Sequence, residues 1–291
     1  MLETILSPLG LVIAVLTVGT VFTLDVPGGS QTQAVGINSR GDIVGAYLDS
    51  NLHQRGFLLS GGEYTTLDVP GATSTAPRGI DPQGDIVGFY ADSSSHQHGF
   101  LLSGGEYTAL DVPGAINTLA TGINPQADIV GIYSPTQTVL ATCSVDCHGF
   151  LLHDGVYTTL DVPGAATTFA TGINPRGDIV GFYLDSSLHR HGFLLSGGKY
   201  TTLDVPGAVS SEAVGINPQG DIVGSHSPTH ELLPNCSADC HGFLLHHGVY
   251  TVLDVPGAPV TLVNGINAQG DIIGRYLDSS SVLHGFVLHG G

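Results

Sequence analysis

One unit repeats six times along this chain, and that repetition limits the folds available to it. The string LDVPG begins at Leu24, Leu67, Leu110, Leu160, Leu203 and Leu253. The steps between successive copies are therefore 43, 43, 50, 43 and 50 residues. A period of about 20–50 residues is typical of solenoids, propellers and other arrays, in which each unit packs against its neighbours.

Each unit contains four short apolar stretches separated by turn signals, as in AVGIN, DIVGFY, HGFLL and YTTLDV. The turn sequences NPQGD (Asn217–Asp221) and SGGEY (Ser60–Tyr64) are rich in residues that tolerate positive φ and predict tight hairpins. In VPG, Pro and Gly suit the two central positions of a type II turn. The unit therefore reads as a four-stranded antiparallel meander.

The burial pattern favours a radial arrangement of these sheets. DIVGFY and GFLL are continuous apolar runs, which suit strands covered on both faces, whereas YTTLDV mixes polar and apolar positions. The last unit lacks its fourth strand, and an unpaired copy of that strand, Phe22–Val26, stands at the N-terminus. We therefore predict an all-β, six-bladed β-propeller over residues 21–291, closed by pairing of a strand in residues 21–27 with the last blade. An open solenoid would not need this complementary split.

Loop variation is confined to one face of the predicted disc. The loop between the second and third strands, such as Leu48–Gln54, and the DVPGA crossover share that face. The third and fifth units each carry seven extra residues there, in Tyr133–His148 and His226–His241. We call this side the insert-bearing face and the opposite side the hairpin face. Because function concentrates in variable loops on rigid scaffolds, we expect ligand contacts on the insert-bearing face.

Both inserts end in CSxDCHGF and contain all four cysteines, which are Cys143, Cys147, Cys236 and Cys240. An even number in a loop-rich chain suggests an oxidising compartment. We predict local disulfides, Cys143–Cys147 and Cys236–Cys240, because a turn brings positions four apart within bridging distance. A thiolate metal site and a haem attachment are the alternatives, although the spacing is one residue too long for the haem motif.

Aspartate recurs at two fixed positions of every unit, in LDVPG and after the first hairpin turn, where a structural role in the turns is favoured over a Ca²⁺ site. Four further aspartates occur only in the units without inserts: Asp49, Asp92, Asp185 and Asp278. They are the better candidates for ligand contact, with simple Asx-turn formation as the alternative.

Histidine is abundant, and two HxH pairs, His96/His98 and His189/His191, lie on the insert-bearing face. Residues two apart on a strand point the same way, so such a pair suits Zn²⁺ or Cu²⁺, although no third ligand is identifiable and packing within the repeat is favoured. We therefore predict no cofactor. The candidate ligand-binding histidines are His96, His189, His226 and His230.

The net charge of −18 argues against nucleic acid or anionic lipid as a partner. Residues 1–20 include an almost wholly apolar segment, Ile5–Val21, which we interpret as an export signal or membrane anchor, or as the start of a longer chain. Small residues at Val18–Thr20 suit cleavage that spares the closing strand. The predicted location is extracellular or cell-surface.

The strings GIN..GDIVG.Y and HGFLL..G.YTTLDVPGA resemble the HAF repeat family of probable extracellular bacterial proteins, over about residues 21–291. The family's His-Ala-Phe signature reads His-Gly-Phe five times here and Arg-Gly-Phe once, at Arg55. The resemblance implies a secreted or surface-attached propeller and supplies no catalytic residues.

No motif of a nucleophile elbow, P-loop, zinc protease helix or dinucleotide site is present, so enzymatic chemistry has no support. The leading hypothesis is a monomeric binding or scaffold module that recognises a glycan or an extracellular protein through its insert-bearing face. A metal-dependent extracellular hydrolase or lyase is one alternative. A purely structural surface protein is the other.

Overall fold

Six four-stranded antiparallel blades stand in a closed ring in the computed structural model, which describes residues 3–6, 12–15, 21–136, 143, 146–229 and 239–290. The predicted all-β, six-bladed β-propeller is confirmed. Within each blade the strands follow chain order from the channel outward, and each pairs only with its sequence neighbours, except where the ring closes and where two N-terminal strands extend blade 5.

The strand bounds follow the repeat. The N-terminal strands are β1 (Glu3–Leu6), β2 (Val12–Val15) and β3 (Val21–Leu24). Blade 1 contains β4 (Ser30–Ile37), β5 (Ile43–Leu48), β6 (Gln54–Ser60) and β7 (Glu63–Leu67). Blade 2 contains β8 (Ser74–Ile80), β9 (Ile86–Ala91), β10 (Gln97–Ser103) and β11 (Glu106–Leu110). Blade 3 contains β12 (Asn117–Ile123), β13 (Ile129–Ser134), β14 (His148–His153) and β15 (Val156–Leu160).

The second half of the ring repeats this order. Blade 4 contains β16 (Thr167–Ile173), β17 (Ile179–Leu184), β18 (Arg190–Ser196) and β19 (Lys199–Leu203). Blade 5 contains β20 (Ser210–Ile216), β21 (Ile222–Ser227), β22 (His241–His246) and β23 (Val249–Leu253). Blade 6 contains β24 (Val260–Ile266), β25 (Ile272–Leu277) and β26 (Leu283–Leu288), and β3 completes it.

The first hairpin of each blade is built by one side chain at its start. In blade 1, Oδ1 of Asn38 accepts the backbone N–H of Arg40 at 2.9 Å and that of Asp42 at 3.0 Å. Gly41 supplies the positive φ of +80° that closes the turn. The Nδ2 group of Asn38 donates to the carbonyl of Asp81 in blade 2, so the same residue also joins adjacent blades.

Each inner strand carries a β-bulge directly before the glycine of its GIN motif. In blade 3 the pairing register shifts between Ala120 and Gly122, which leaves Thr121 as the extra residue. A bulge redirects its extra side chain, and here Oγ1 of Thr121 donates to the carbonyl of Ala170 in blade 4 at 2.8 Å. The bulged residues of the six blades are Val35, Arg78, Thr121, Thr171, Val214 and Asn264.

The hydrophobic core lies between the blades, around the phenylalanine of each His-Gly-Phe or Arg-Gly-Phe motif. In blade 4 Phe193 is fully buried and packs edge-on against Tyr200 of the outer strand, with ring centroids 5.5 Å apart. In contrast, the outer strand β19 exposes Thr201 and Thr202. The predicted decrease in burial toward the outermost strand is confirmed.

The ring closes between the two ends of the chain. Strand β3 pairs antiparallel with β26, with Leu24 opposite Gly285 and Val21 opposite Leu288. On the inner side, Nδ2 of Asn264 in blade 6 donates to the carbonyl of Ala34 in blade 1 at 2.7 Å. The predicted closing strand is therefore confirmed, with bounds of Val21–Leu24 where the sequence predicted Phe22–Val26.

The N-terminal strands extend blade 5. Strand β2 pairs in parallel with β23, with Ala14 opposite Thr251, and β1 pairs antiparallel with β2. Thr251 is accordingly buried, whereas Thr201, its counterpart in blade 4, is exposed. The described residues contain no helix that is long and apolar enough to cross a membrane. Export through residues 1–20 stays a prediction.

Candidate functional site

The four loop aspartates lie on the insert-bearing face, where each caps its own loop. In blade 2, Oδ1 of Asp92 accepts the backbone N–H of Ser94 at 2.8 Å and that of His96 at 2.9 Å. These are the hydrogen bonds of an Asx turn. They lower the pKa of Asp92, and the bond from the His96 amide has the largest effect. The same bonds recur at Asp49, Asp185 and Asp278. One oxygen of each carboxylate is thus committed to its loop.

The histidines of the HxH pairs surround the second oxygen of these carboxylates. Nδ1 of His96 lies 3.7 Å and Nε2 of His98 3.6 Å from Oδ2 of Asp92. Nδ1 of His98 lies 3.1 Å from both oxygens of Asp111, and its ring stacks on Tyr90. His189 and His191 repeat the arrangement in blade 4. The second histidine therefore ties the third strand to the end of the fourth.

Arg55 takes the histidine's place in blade 1. Its Nε donates to Asp49 at 3.1 Å and its Nη1 to Asp68 at 3.0 Å, so one guanidinium joins both carboxylates. No group of three His, Cys, Asp or Glu side chains suited to a metal ion occurs among the described residues. The HxH pairs are thus held by aspartates of the repeat.

The two remaining candidate histidines belong to the second insert. His226 is buried against His241, with ring centroids 5.5 Å apart, in the place that tyrosine occupies in the other five blades. Burial, and then the nearby charge of His241, lower the pKa of His226 to about 4. His230 lies outside the described residues, so its placement stays a prediction.

The predicted Cys143–Cys147 disulfide is present, with the two Cα atoms 6.2 Å apart. Cys240 is also disulfide-bonded, and its predicted partner Cys236 lies outside the described residues. Cys147 is completely buried, and its carbonyl accepts the N–H of Thr168 in the next blade. The cysteine end of the first insert is therefore held inward, toward the centre of the ring.

The centre of the ring contains a cavity of about 440 Å³. At the hairpin face its lining is formed by the isoleucines and glycines of the inner strands, and a Cβ built on Gly79 would lie only 3.1 Å from Cα of Gly122. Toward the insert-bearing face the lining extends outward to Gln97 and Arg190, the first residues of β10 and β18. The cavity therefore widens toward the insert-bearing face.

One wall of this cavity is aromatic and apolar. Phe169 and Phe182 stack in parallel, with centroids 4.5 Å apart and an interplanar angle of 11°. Phe89, Leu119 and Ile132 also line the cavity, and the Cys143–Cys147 disulfide packs in the same apolar cluster. We call this surface, from blades 2, 3 and 4, the aromatic wall.

Polar and charged side chains also line the cavity, some of them stacked on the aromatic wall and others from blades 5, 6 and 1. Nη1 of Arg190 donates to Oε2 of Glu212 at 2.6 Å, and its guanidinium lies 4.4 Å above the ring of Phe182. Nη1 of Arg275 donates to Oε1 of Gln33 at 3.3 Å. We call the charged and amide side chains of the cavity the polar wall: Gln33, Arg78, Gln97, Arg190, Glu212, Asn264 and Arg275.

Arg78 projects into the cavity from the bulge of β8. Its guanidinium lies 5.2 Å above the ring of Phe89, and within the described residues it makes no hydrogen bond or ion pair. Burial and the positive charge of Arg275 lower the pKa of Arg78 to about 10, so it remains charged at neutral pH. Burial also lowers the pKa of Arg275, although Glu212 opposes this.

These cavity residues were not predicted from the sequence, because they vary at fixed strand positions and the prediction rested on variation in the loops. The inner-strand position three before the GIN glycine holds a different kind of residue around the ring: Gln33, Ala76, Leu119, Phe169, Glu212 and Leu262. Its neighbours on either side are nearly constant. The sequence did contain a signal for them. It was the variation at fixed strand positions, together with the placement of Arg78, Arg190 and Arg275 in strands.

No family model matches the chain, and no curated protein matches it, so the resemblance to HAF repeats stays a prediction. Solved structures do match its fold. A mutant of AofleA from Arthrobotrys oligospora is 12% identical, with a TM-score of 0.57 over 94% of this chain and 87% of that one. The β-propeller domain of the Trilobed protease from Pyrococcus furiosus is 10% identical, with a TM-score of 0.55 over 90% and 96%.

A mutant of the Aleuria aurantia lectin in complex with Fucα1-6GlcNAc is also similar. It is 13% identical, with a TM-score of 0.55 over 91% of this chain and 93% of that chain. Another structure of that lectin is described as a six-bladed β-propeller with a fucose recognition mode. At this identity the likeness defines the class of fold, a six-bladed β-propeller, which this chain shares with known lectins.

Proposed function

We propose that this protein is a secreted or cell-surface propeller module that binds a glycan in its central cavity, entered from the insert-bearing face. The observation that carries the proposal is that aromatic rings and the charged and amide groups of the polar wall line the same cavity. Aromatic rings pack against the C–H face of a sugar, while guanidinium, carboxylate and amide groups bond its hydroxyls. A cavity of about 440 Å³ is also within the size range of small-ligand sites.

The glycan-binding propellers among the structural neighbours support this proposal. The sequence hypothesis of a protein ligand on the same face is the competing occupant. A narrowing, concave cavity favours the glycan, since protein partners bury broad surfaces of about 800 Å² on each side. Export is part of the proposal, and it is supported by the apolar segment Ile5–Val21 and by the disulfides.

The test is capture of saccharides from an immobilised glycan panel by the full chain and by two variants. Phe182→Ala removes a ring from the aromatic wall and installs the residue that blade 1 already has there, Ala46. The control, Leu52→Ala, truncates a side chain that is 72% exposed on a loop of the same face, outside the cavity. We expect F182A to lose capture and L52A to keep it.

Three other outcomes would contradict the proposal. Unchanged capture by F182A would place the glycan elsewhere on the molecule. Capture of a protein but of no saccharide by the wild-type chain would replace the glycan by the competing ligand. No saturable binding of either kind would favour a purely structural role.

A further inference from the structure

Positive charge is concentrated in the cavity to an unusual degree for this chain. The protein has seven Lys and Arg residues against 25 Asp and Glu, yet three of the arginines line the cavity. They are Arg78, Arg190 and Arg275, from blades 2, 4 and 6. Glu212 is the one acidic residue among the described lining residues. The described lining thus carries an excess of two positive charges inside a strongly negative protein.

The positive charges of these three arginines are not equally balanced by carboxylates. Glu212 bonds Arg190 directly and also acts electrostatically on Arg275. Arg275 donates to the amide of Gln33, which is neutral. Arg78 has no carboxylate partner in the described structure, and the charge that acts on it is the like charge of Arg275. A guanidinium so placed is stabilised by an anion, above all by a carboxylate that accepts two of its N–H groups.

A second polar group indicates that the anion also carries hydroxyl groups. Oε1 of Gln97 is buried at the wide end of the cavity and has no hydrogen-bond partner in the described part of the chain. A buried acceptor without a donor costs free energy that a ligand hydroxyl would recover. A carboxylate alone supplies no donor to Gln97, whereas a sugar acid supplies both groups on one ring.

We propose that the cavity selects a sugar acid of the hexuronic type, with Arg78 as the anchor of its carboxylate and Gln97 as the acceptor for one of its hydroxyls. The inference rests on the proposed glycan-binding function and names its ligand class. The aromatic wall covers the apolar face of the ring, and Arg275 adds a second positive charge beside the carboxylate. The negative exterior does not prevent entry, since the exposed charges around the mouth are screened within about 8 Å at physiological salt.

The test is calorimetric titration of the full-length protein with glucuronic and galacturonic acids, with glucose and galactose as their neutral counterparts, and with acetate as a carboxylate without a ring. We expect at least one sugar acid to bind about tenfold more tightly than its neutral counterpart and than acetate. We also expect its affinity to fall as salt rises.

Two cavity variants and one control use residues that the repeat already tolerates. Arg78→Thr installs the residue of blades 3 and 4, and Arg275→Ser installs that of blade 5, Ser225. We expect R78T to weaken sugar-acid binding about ten- to a hundredfold and to weaken neutral-sugar binding much less, so that the preference for the acid is lost, with R275S in the same direction. The control Arg55→His removes an arginine from the same face and installs the residue of the other five blades, and it leaves both affinities unchanged.

Equal affinity for acid and neutral sugars, or an unchanged affinity in R78T, would overturn this inference. If neutral sugars still bind and F182A abolishes that binding, the glycan-binding function survives without the acid preference. Acetate as tight as the sugar acids would define a general anion site and would also overturn it. If no saccharide binds the folded wild-type protein, both proposals fail together.

Discussion

Arg190 and Glu212 form an ion pair across the boundary between blades 4 and 5, with Nη1 of the arginine 2.6 Å from Oε2 of the glutamate. Both side chains are largely buried, with exposed fractions of 16% and 19%. The pair joins the third strand of one blade to the inner strand of the next at the edge of the cavity, with the guanidinium stacked on the ring of Phe182. It therefore connects ring packing with the shape of the proposed site.

We predict that this pair is coupled energetically. Arg190→Gln and Glu212→Gln each install the residue found at the same position of another blade, Gln97 and Gln33. Each single variant removes the opposite charge from this largely buried ion pair, so each should lower the free energy of unfolding by about 2–3 kcal/mol. The double variant should lose about 1–3 kcal/mol less than the sum. Urea unfolding of the four proteins measures the coupling, and additive losses would show that the two residues act independently.

A glycine prediction tests the packing of the blades. A Cβ on Gly181 of β17 would lie 2.0 Å from the carbonyl oxygen of Phe169 and 2.7 Å from the ring of Phe193. Gly181→Ala should therefore destabilise the fold by about 3 kcal/mol, because backbone and core both have to move. Gly177→Ala lies in an open turn at a φ of +78°, and should cost only about 1 kcal/mol of backbone strain. Equal losses in the two variants would contradict the close strand packing described above.

His226 predicts an acid sensitivity that one substitution removes. Because its folded-state pKa of about 4 lies below the ordinary 6.5, the unfolded chain binds this proton more readily than the folded protein. The contribution of His226 to stability is complete above pH 6.5 and declines as pH falls toward 4, by about 3 kcal/mol in all. His226→Tyr, which restores the residue of the other blades, should flatten stability between pH 7 and 4 relative to wild type. Denaturant unfolding across that pH range provides the comparison, and parallel curves would refute the assignment.

The Cys143–Cys147 disulfide should stabilise the fold only modestly. A four-residue separation closes a short loop, for which the chain-entropy contribution is about 2 kcal/mol. The double variant Cys143→Ser/Cys147→Ser should therefore still fold, with a small drop in melting temperature. Because Cys147 packs with the aromatic wall, the same variant should weaken glycan binding more than Leu52→Ala does. Unchanged binding would show that the first insert does not contribute to the proposed site.

The architecture was predictable because the sequence pattern of its strands and turns recurs along the chain. Each strand recurs six times and each turn five or six times, which gave the blade, and the isolated strand Phe22–Val26 gave the closure, which β3 and β26 confirm. The bounds were less accurate: the predicted strand continued to Val26, whereas β3 ends at Leu24. The difference arises because the DVPG segment already turns toward blade 1, where the N–H of Val26 bonds Oγ1 of Thr32.

The cavity was not predictable from the same patterns. The residues at its wide end differ from blade to blade, so Arg78, Phe169 and Glu212 carry no motif and appear only as irregularities within regular strands. Which of them meet depends on the ring bringing inner strands of separate blades together, and on the bulge that turns the Arg78 position inward. Conversely, the loop aspartates formed a clear pattern because each unit without an insert needs the same Asx turn.

The most direct measurement is a crystal structure of the protein soaked with a saccharide that it binds in the glycan panel. We expect the sugar ring to lie between Phe182 and Arg78, with one of its hydroxyl groups donating to Oε1 of Gln97. A sugar bound in a crevice on the outer rim, with the Phe169–Phe182 stack and Arg78 left bare, would contradict this expectation.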